Sequence, residues 1–204
     1  GVNLATDEPY QNFKPLKNLT LDFIQEKQME IMFKYEPSEK EVFENFDIDV
    51  YEDQETFKKY CWRITEEITE ALEDMEHPQH FKEEITDAFN FLLELYSLYG
   101  WKVSDLGTIF SEGYDDPPEF VGKITKELSL DVITSIGLTA NLLKNRKWRQ
   151  SQYLVDLYIF EKRFKDIWNR FEYLVYWSGI SKEELFDQWS LKYQVNEFRI
   201  NTKY

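Results

Sequence analysis

Two strongly amphipathic stretches, 55–76 and 81–99, stand four residues apart, and this constrains the fold more than any other feature. In the first, Ile64, Ile68, Ala71, Leu72 and Met75 fall on one helical stripe. In the second, Phe81, Ile85, Ala88, Phe89, Leu92, Tyr96 and Tyr99 do the same. His77-Pro78-Gln79-His80 separates them, because proline disfavours helix at the residue before it. So short a connection makes the two helices an antiparallel hairpin. Gly100 is the natural stop for the second.

The remaining pattern is also helical. Residues 1–17 read as irregular, broken by Pro9 and Pro15, and a first helix runs over 19–35 and ends before Pro37. A short helical turn is predicted around 40–46. Gly107, Gly113, Pro117 and Pro118 mark 107–119 as an internal linker, followed by helical runs over 120–144, 149–178 and 181–198. Strand-type alternation is nearly absent. The expected fold is all-α, a helical bundle around a central antiparallel hairpin. It forms a single domain over 1–204, with lobes at 19–106 and 120–204.

A faint repeat runs through it. Laying Gly100 on Gly179 aligns Phe81 with Phe160, Asp87 with Asp166, Asn90 with Asn169 and Leu106 with Leu185. Upstream, Ile64-Thr65 and Ile133-Thr134 open comparable helices. The pattern fits either chance similarity between amphipathic helices or a duplicated hairpin whose second copy has degenerated. Where the first copy has Glu84, the second has Arg163.

A net charge of −15 argues against non-specific binding to nucleic acid or an anionic membrane. It leaves room for phosphate ligands, since divalent cations bridge acids to phosphates. The single cysteine, Cys61, excludes an intramolecular disulfide and a cysteine-rich zinc site. No apolar run approaches the ~20 residues of a membrane span. Gly1-Val2-Asn3-Leu4 lacks a basic-then-apolar leader. A cytoplasmic location, or the host cytoplasm for a viral protein, is the expectation.

The acids of the hairpin are patterned. Glu66-Glu67-Ile68-Thr69-Glu70 lies on the first helix and Glu83-Glu84-Ile85-Thr86-Asp87 on the second. At about 100° per residue, Glu67 and Glu84 sit at the same offset from their apolar stripes, as do Glu70 and Asp87. Counted from Pro78, Glu70 and Asp87 fall at nearly the same height. Four converging carboxylates repel one another, and hard divalent cations such as Mg2+ or Mn2+ relieve that repulsion. A diiron bundle would need Glu-x-x-His on two helices, and the histidines, His77 and His80, are both at the turn. In a chain with 39 acidic residues the same spacing also suits a solvated helix face.

Glu67-Ile68-Thr69-Glu70 and Glu84-Ile85-Thr86-Asp87, 13 residues apart, resemble the ExxE and ExxD helices of the all-α NTP pyrophosphatase superfamily. That group includes dimeric dUTPases, phage dCTP/dUTP pyrophosphatases and MazG-type enzymes. Lys192, Asn196, Arg199 and Tyr204 have the spacing of the C-terminal set in the dUTPase-like branch, behind a Gly179-Ile180-Ser181-Lys182 lead-in. The chain departs at Ile200 and Lys203, where Gln and Gly are common in that branch.

The resemblance implies Mg2+-dependent hydrolysis of a deoxynucleoside triphosphate, dUTP foremost, to the monophosphate and pyrophosphate, by a homodimer. Glu67, Glu70, Glu84 and Asp87 would hold the metal, with Glu67 or Glu70 directing the water. Lys192, Asn196, Arg199 and Tyr204 would hold the phosphates, and Gln28 and Asn90 would contact the base. The alternatives are dCTP or a broader set of NTPs as substrate, or a non-catalytic helical interaction module. Trp62, Phe91 and Trp101 are expected in the core rather than against a base. Glu83 and Glu94 read as supporting or solvated acids, and Lys144–Arg149 as a solvated basic helix end.

Overall fold

The computed structural model describes residues 12–203, and among these the regular structure is helical, with no strand. The helices are α1 (Leu21–Tyr35), α2 (Glu39–Glu44), α3 (Tyr51–Glu73), α4 (Pro78–Tyr99), α5 (Ile109–Glu112), α6 (Gly122–Ala140), α7 (Leu157–Trp177) and α8 (Lys182–Asn201), with a 3-10 turn at Val103–Asp105. The all-α expectation holds. Gly1–Gln11 and Tyr204 lie outside the described residues.

α3 and α4 pack side by side. α3 is about 34 Å long, whereas the four residues between the helices reach at most about 14 Å, so the two must run antiparallel. Proline does not interrupt α4 but opens it: Pro78 occupies the first turn, where its missing N–H costs nothing. Gly100, at φ 88°, ends the helix in the left-handed conformation, and Trp101 N donates to Tyr96 O at 2.9 Å. α7 stops by the same device: Gly179 has φ 76° and Ile180 N donates to Val175 O at 3.3 Å. Once Gly100 is laid on Gly179, α4 falls on 157–178, the place α7 occupies. α6 packs on α7, and α3 packs on α6, so two hairpins face one another.

Between them runs an aromatic core. Tyr96 stacks on Phe164 at 4.2 Å, and Phe89, Phe110, Trp168 and Phe171 close around it. The Tyr96 hydroxyl donates to Phe164 O at 2.6 Å, satisfying a buried polar group. α1 and α8 cover the other side of α4. α4 is thereby buried on three sides, which explains why twelve of its residues are buried.

Three sequence expectations change. The run predicted over 149–178 becomes helical only at Leu157, because backbone groups upstream have other partners. Tyr153 N donates to Asn145 Oδ1 at 2.7 Å and Val155 N to Asp49 Oδ1 at 2.7 Å. The run predicted over 120–144 stops at Ala140, and Asn145 is fully buried between 49 and 153. The linker over 107–119 is pinned rather than loose. Glu172 accepts from Phe110 N at 2.9 Å, and a Cβ on Gly107 would run into the Glu172 carboxylate and displace it from that bond.

Candidate functional site

Among the described residues, Glu67, Glu84 and Asp87 form a cluster of metal-ligand type, one carboxylate oxygen of each lying within 4.8 Å of the others. α3 supplies Glu67 and α4 supplies Glu84 and Asp87, all on shoulders beside the buried seam. Ile64 and Ile68 on one helix and Ile85 and Ala88 on the other are fully buried, and that packing sets the rotation that points the acids at each other. Glu70 stays at the exposed edge, within hydrogen-bonding reach of Glu84. Three of the four expected acids converge and the fourth stands at the rim.

Among the described residues, Glu67 and Glu84 have no cationic partner. Burial, the hydrogen bond that Glu67 donates to Glu84 and the charges of Asp87, Glu70 and Glu84 push the Glu67 carboxyl well above its ordinary range. Burial foremost raises Glu84 as well. The Glu67–Glu84 bond favours a proton on Glu67 and a charge on Glu84, so the pair shares one proton. Glu67 Oε2 and Glu84 Oε2 are buried with no partner apart from that contact. Hard, partly enclosed oxygens lacking donors fit Mg2+ or Mn2+.

Lys192 comes from α8, more than a hundred residues away. Its Nζ lies 2.8 Å from Asp87 Oδ1 and the side chain is buried. The residue expected to bind phosphate therefore already serves as counter-cation to one acid. Asn196 and Arg199 follow one and two turns further along α8. Asn196 accepts from the Tyr35 hydroxyl through its carbonyl at 3.2 Å and its Oδ1 at 3.5 Å, which ties it to α1. Tyr204 lies outside the described residues.

The tentative base contacts separate. Gln28 is an engaged interface amide: its Oε1 accepts from Trp189 Nε1 at 2.9 Å and its Nε2 points at Glu94 Oε1 at 3.4 Å. Asn90, one turn beyond Asp87, keeps a buried Oδ1 without a partner. Further along α4, Glu94 is 4% exposed rather than solvated, and burial pushes its carboxyl up to about 8. Its Oε2 and the hydroxyl of the buried Tyr60 also lack partners. Unpartnered buried polar atoms thus continue from the carboxylate cluster along the α3–α4 seam. Native interiors rarely leave such groups without water or ligand.

Other expectations are corrected. Trp62 is 62% exposed, because it faces away from the packed side of α3. Trp101 and Phe91 are both partly buried against the core, Trp101 stacked on Phe164 at 5.3 Å and Phe91 under the Arg63 guanidinium. Glu83 is buried, with Gln79 Nε2 at 3.4 Å. Tyr60 has no place in the sequence expectations, and Glu94, there a supporting or solvated acid, sits seven residues from Asp87 on the same face of the helix. No known protein family, curated protein or solved structure matches this chain.

Proposed function

We propose that the protein is a Mg2+-dependent nucleoside triphosphate pyrophosphatase acting on a deoxynucleoside triphosphate, dUTP foremost, with dCTP or modified NTPs as the alternatives. The observation that carries this reading is the convergence of Glu67, Glu84 and Asp87 from two helices, with buried oxygens on Glu67 and Glu84 that no cation neutralises. Those three residues would hold the metal, which when bound neutralises the triphosphate and stabilises charge on the phosphoryl group.

The chain's own groups supply the rest. Glu67 or the rim carboxylate Glu70 orients the attacking water and takes its proton. Lys192, next to Asp87, offers its ammonium to the phosphates, and Arg199, two turns along the same helix, offers a bidentate guanidinium. Asn90 and Glu94 contact the base: Glu94 lies about 10 Å along α4 from Asp87, a distance that suits a nucleoside. In this reading the enzyme works as a cytoplasmic homodimer.

Incubation with Mg2+ and each dNTP, dUTP included, tests the reading by release of pyrophosphate and monophosphate. Turnover lost in Glu67→Gln and Asp87→Asn supports it; no turnover with any nucleotide sinks it. A second reading, a non-catalytic helical interaction module, draws on the Asp87–Lys192 ion pair, which offsets one acid internally. It expects no Mg2+ binding by calorimetry.

A further inference from the structure

Away from the carboxylates, the segment joining α6 to α7 presents an unusual surface. Leu154 is 85% exposed, Tyr158 79% and Trp148 78%, and Tyr153 and Leu157 are also open to solvent. Four of the six residues in Lys144–Arg149 are basic, in a chain whose net charge is −15. Lys58 of α3 joins them: its amine is held below the usual range by burial and by the charges of Arg146 and Lys144, partly offset by Glu55. A cavity of about 300 Å³ there has apolar walls from Leu142, Leu154 and Val155, with Lys144, Arg149 and a single acid, Asp156, also among its lining residues.

This surface is held in shape. Buried Asn145 donates from Nδ2 to Asp49 O at 2.8 Å and to Tyr153 O at 3.0 Å, and its backbone N–H donates to Gln54 Oε1 at 3.0 Å. Gln152 Nε2 donates to Arg146 O and Arg149 O, both at 3.1 Å, and the Arg149 guanidinium lies over the Tyr153 ring. A fixed cavity with apolar walls, where two cations outnumber the one acid, binds at a low ordering cost.

We propose that this patch docks a protein partner whose binding segment carries an apolar side chain flanked by carboxylates. Charge complementarity selects that occupant. The net charge of −15 opposes the dense charge of a phosphate backbone far more than a short segment with one or two carboxylates, and one of the exposed rings, Tyr153, is already covered by Arg149. A second copy meeting the patch across a twofold axis would set its own basic run against itself.

A phage-displayed library of random peptides, selected on the full chain and counter-selected on an Arg149→Glu/Leu154→Ser variant, tests the proposal. Both side chains are exposed, and circular dichroism and thermal melting establish that the variant is folded. The expected result is a consensus with an aromatic or aliphatic residue between Asp or Glu residues. A synthetic peptide of that consensus should lose at least tenfold in affinity on each single substitution. Failure to enrich over the variant, or a consensus without acids, overturns the proposal. So does patch-dependent binding of an oligothymidylate, or a dimer that Leu154→Ser converts to a monomer in light scattering.

Discussion

The two helical hairpins share a frame and differ in how they treat their acids. α3–α4 and α6–α7 have similar lengths and the same glycine stop, yet among the described residues only the first keeps clustered carboxylates with oxygens that lack a partner. In the second, Asp166 accepts from Arg170 Nε at 2.6 Å and from Ser135 Oγ at 3.3 Å, and Asp131 lies 3.7 Å from the same guanidinium. Arg163, in the place of Glu84, donates to Leu138 O. Laying Ile64 on Ile133 puts buried Ile136 in the place of Glu67 and buried Thr139 in that of Glu70. One hairpin answers its charges with its own side chains. The other draws its counter-cation, Lys192, from α8 and leaves Glu67 and Glu84 without one, and that difference locates the candidate chemistry in the first.

Substitution at the cluster should break the comparison most sharply. Glu67→Gln and Asp87→Asn are expected to lower pyrophosphate release by about 10³-fold, whereas Asp166→Asn should leave it within about twofold; steady-state kinetics on the three variants checks this. Next in size is Lys192→Met. It leaves Asp87 without its buried counter-cation and should cost about 3 kcal/mol in urea unfolding with EDTA present.

Mg2+ at a hundred times its Kd should stabilise the wild type by about 2.7 kcal/mol. Glu84→Gln should abolish that gain and Asp166→Asn should keep it, as read by thermal melts with and without chelator. Glu94 has Tyr173 at its equivalent place, so its titration belongs to the first hairpin alone. With its folded value raised to about 8, the native state retains a proton that the unfolded chain releases near its ordinary value. Stability is then full below that ordinary value and falls as pH rises. The expected loss between pH 5 and pH 7 is about 2.5 kcal/mol, and Glu94→Gln should flatten it in denaturant titrations. The smallest effect belongs to the second hairpin: Arg170→Gln breaks exposed ion pairs and should cost less than about 1 kcal/mol.

Much of this comparison was legible in the residues. The apolar stripes, the breaker at Pro78 and the paired glycines placed both hairpins, and the offsets of Glu67 and Glu84 marked the shoulder where they meet. Glu70 read as an equal member because helical angle alone does not say how far an acid stands from the seam. Glu94 read as either supporting or solvated because the group that meets it, Gln28 of α1, lies far away in sequence. Trp62 read as core because size and apolarity are properties of a residue, while exposure is a property of its neighbours.

The sequence by itself determined that the chain is helical, where most helices begin and end, and which acids could share a face. These follow from rotation per residue, capping chemistry and proline or glycine geometry, all acting within a few positions. Only the tertiary structure decided that Lys192 pairs with Asp87, that Gln28 is bound to Trp189 and Glu94, and that 149–156 stays out of the helix. Each of those rests on a partner brought in by packing, and a side chain's charge, burial and free hydrogen-bonding capacity depend on what packs against it.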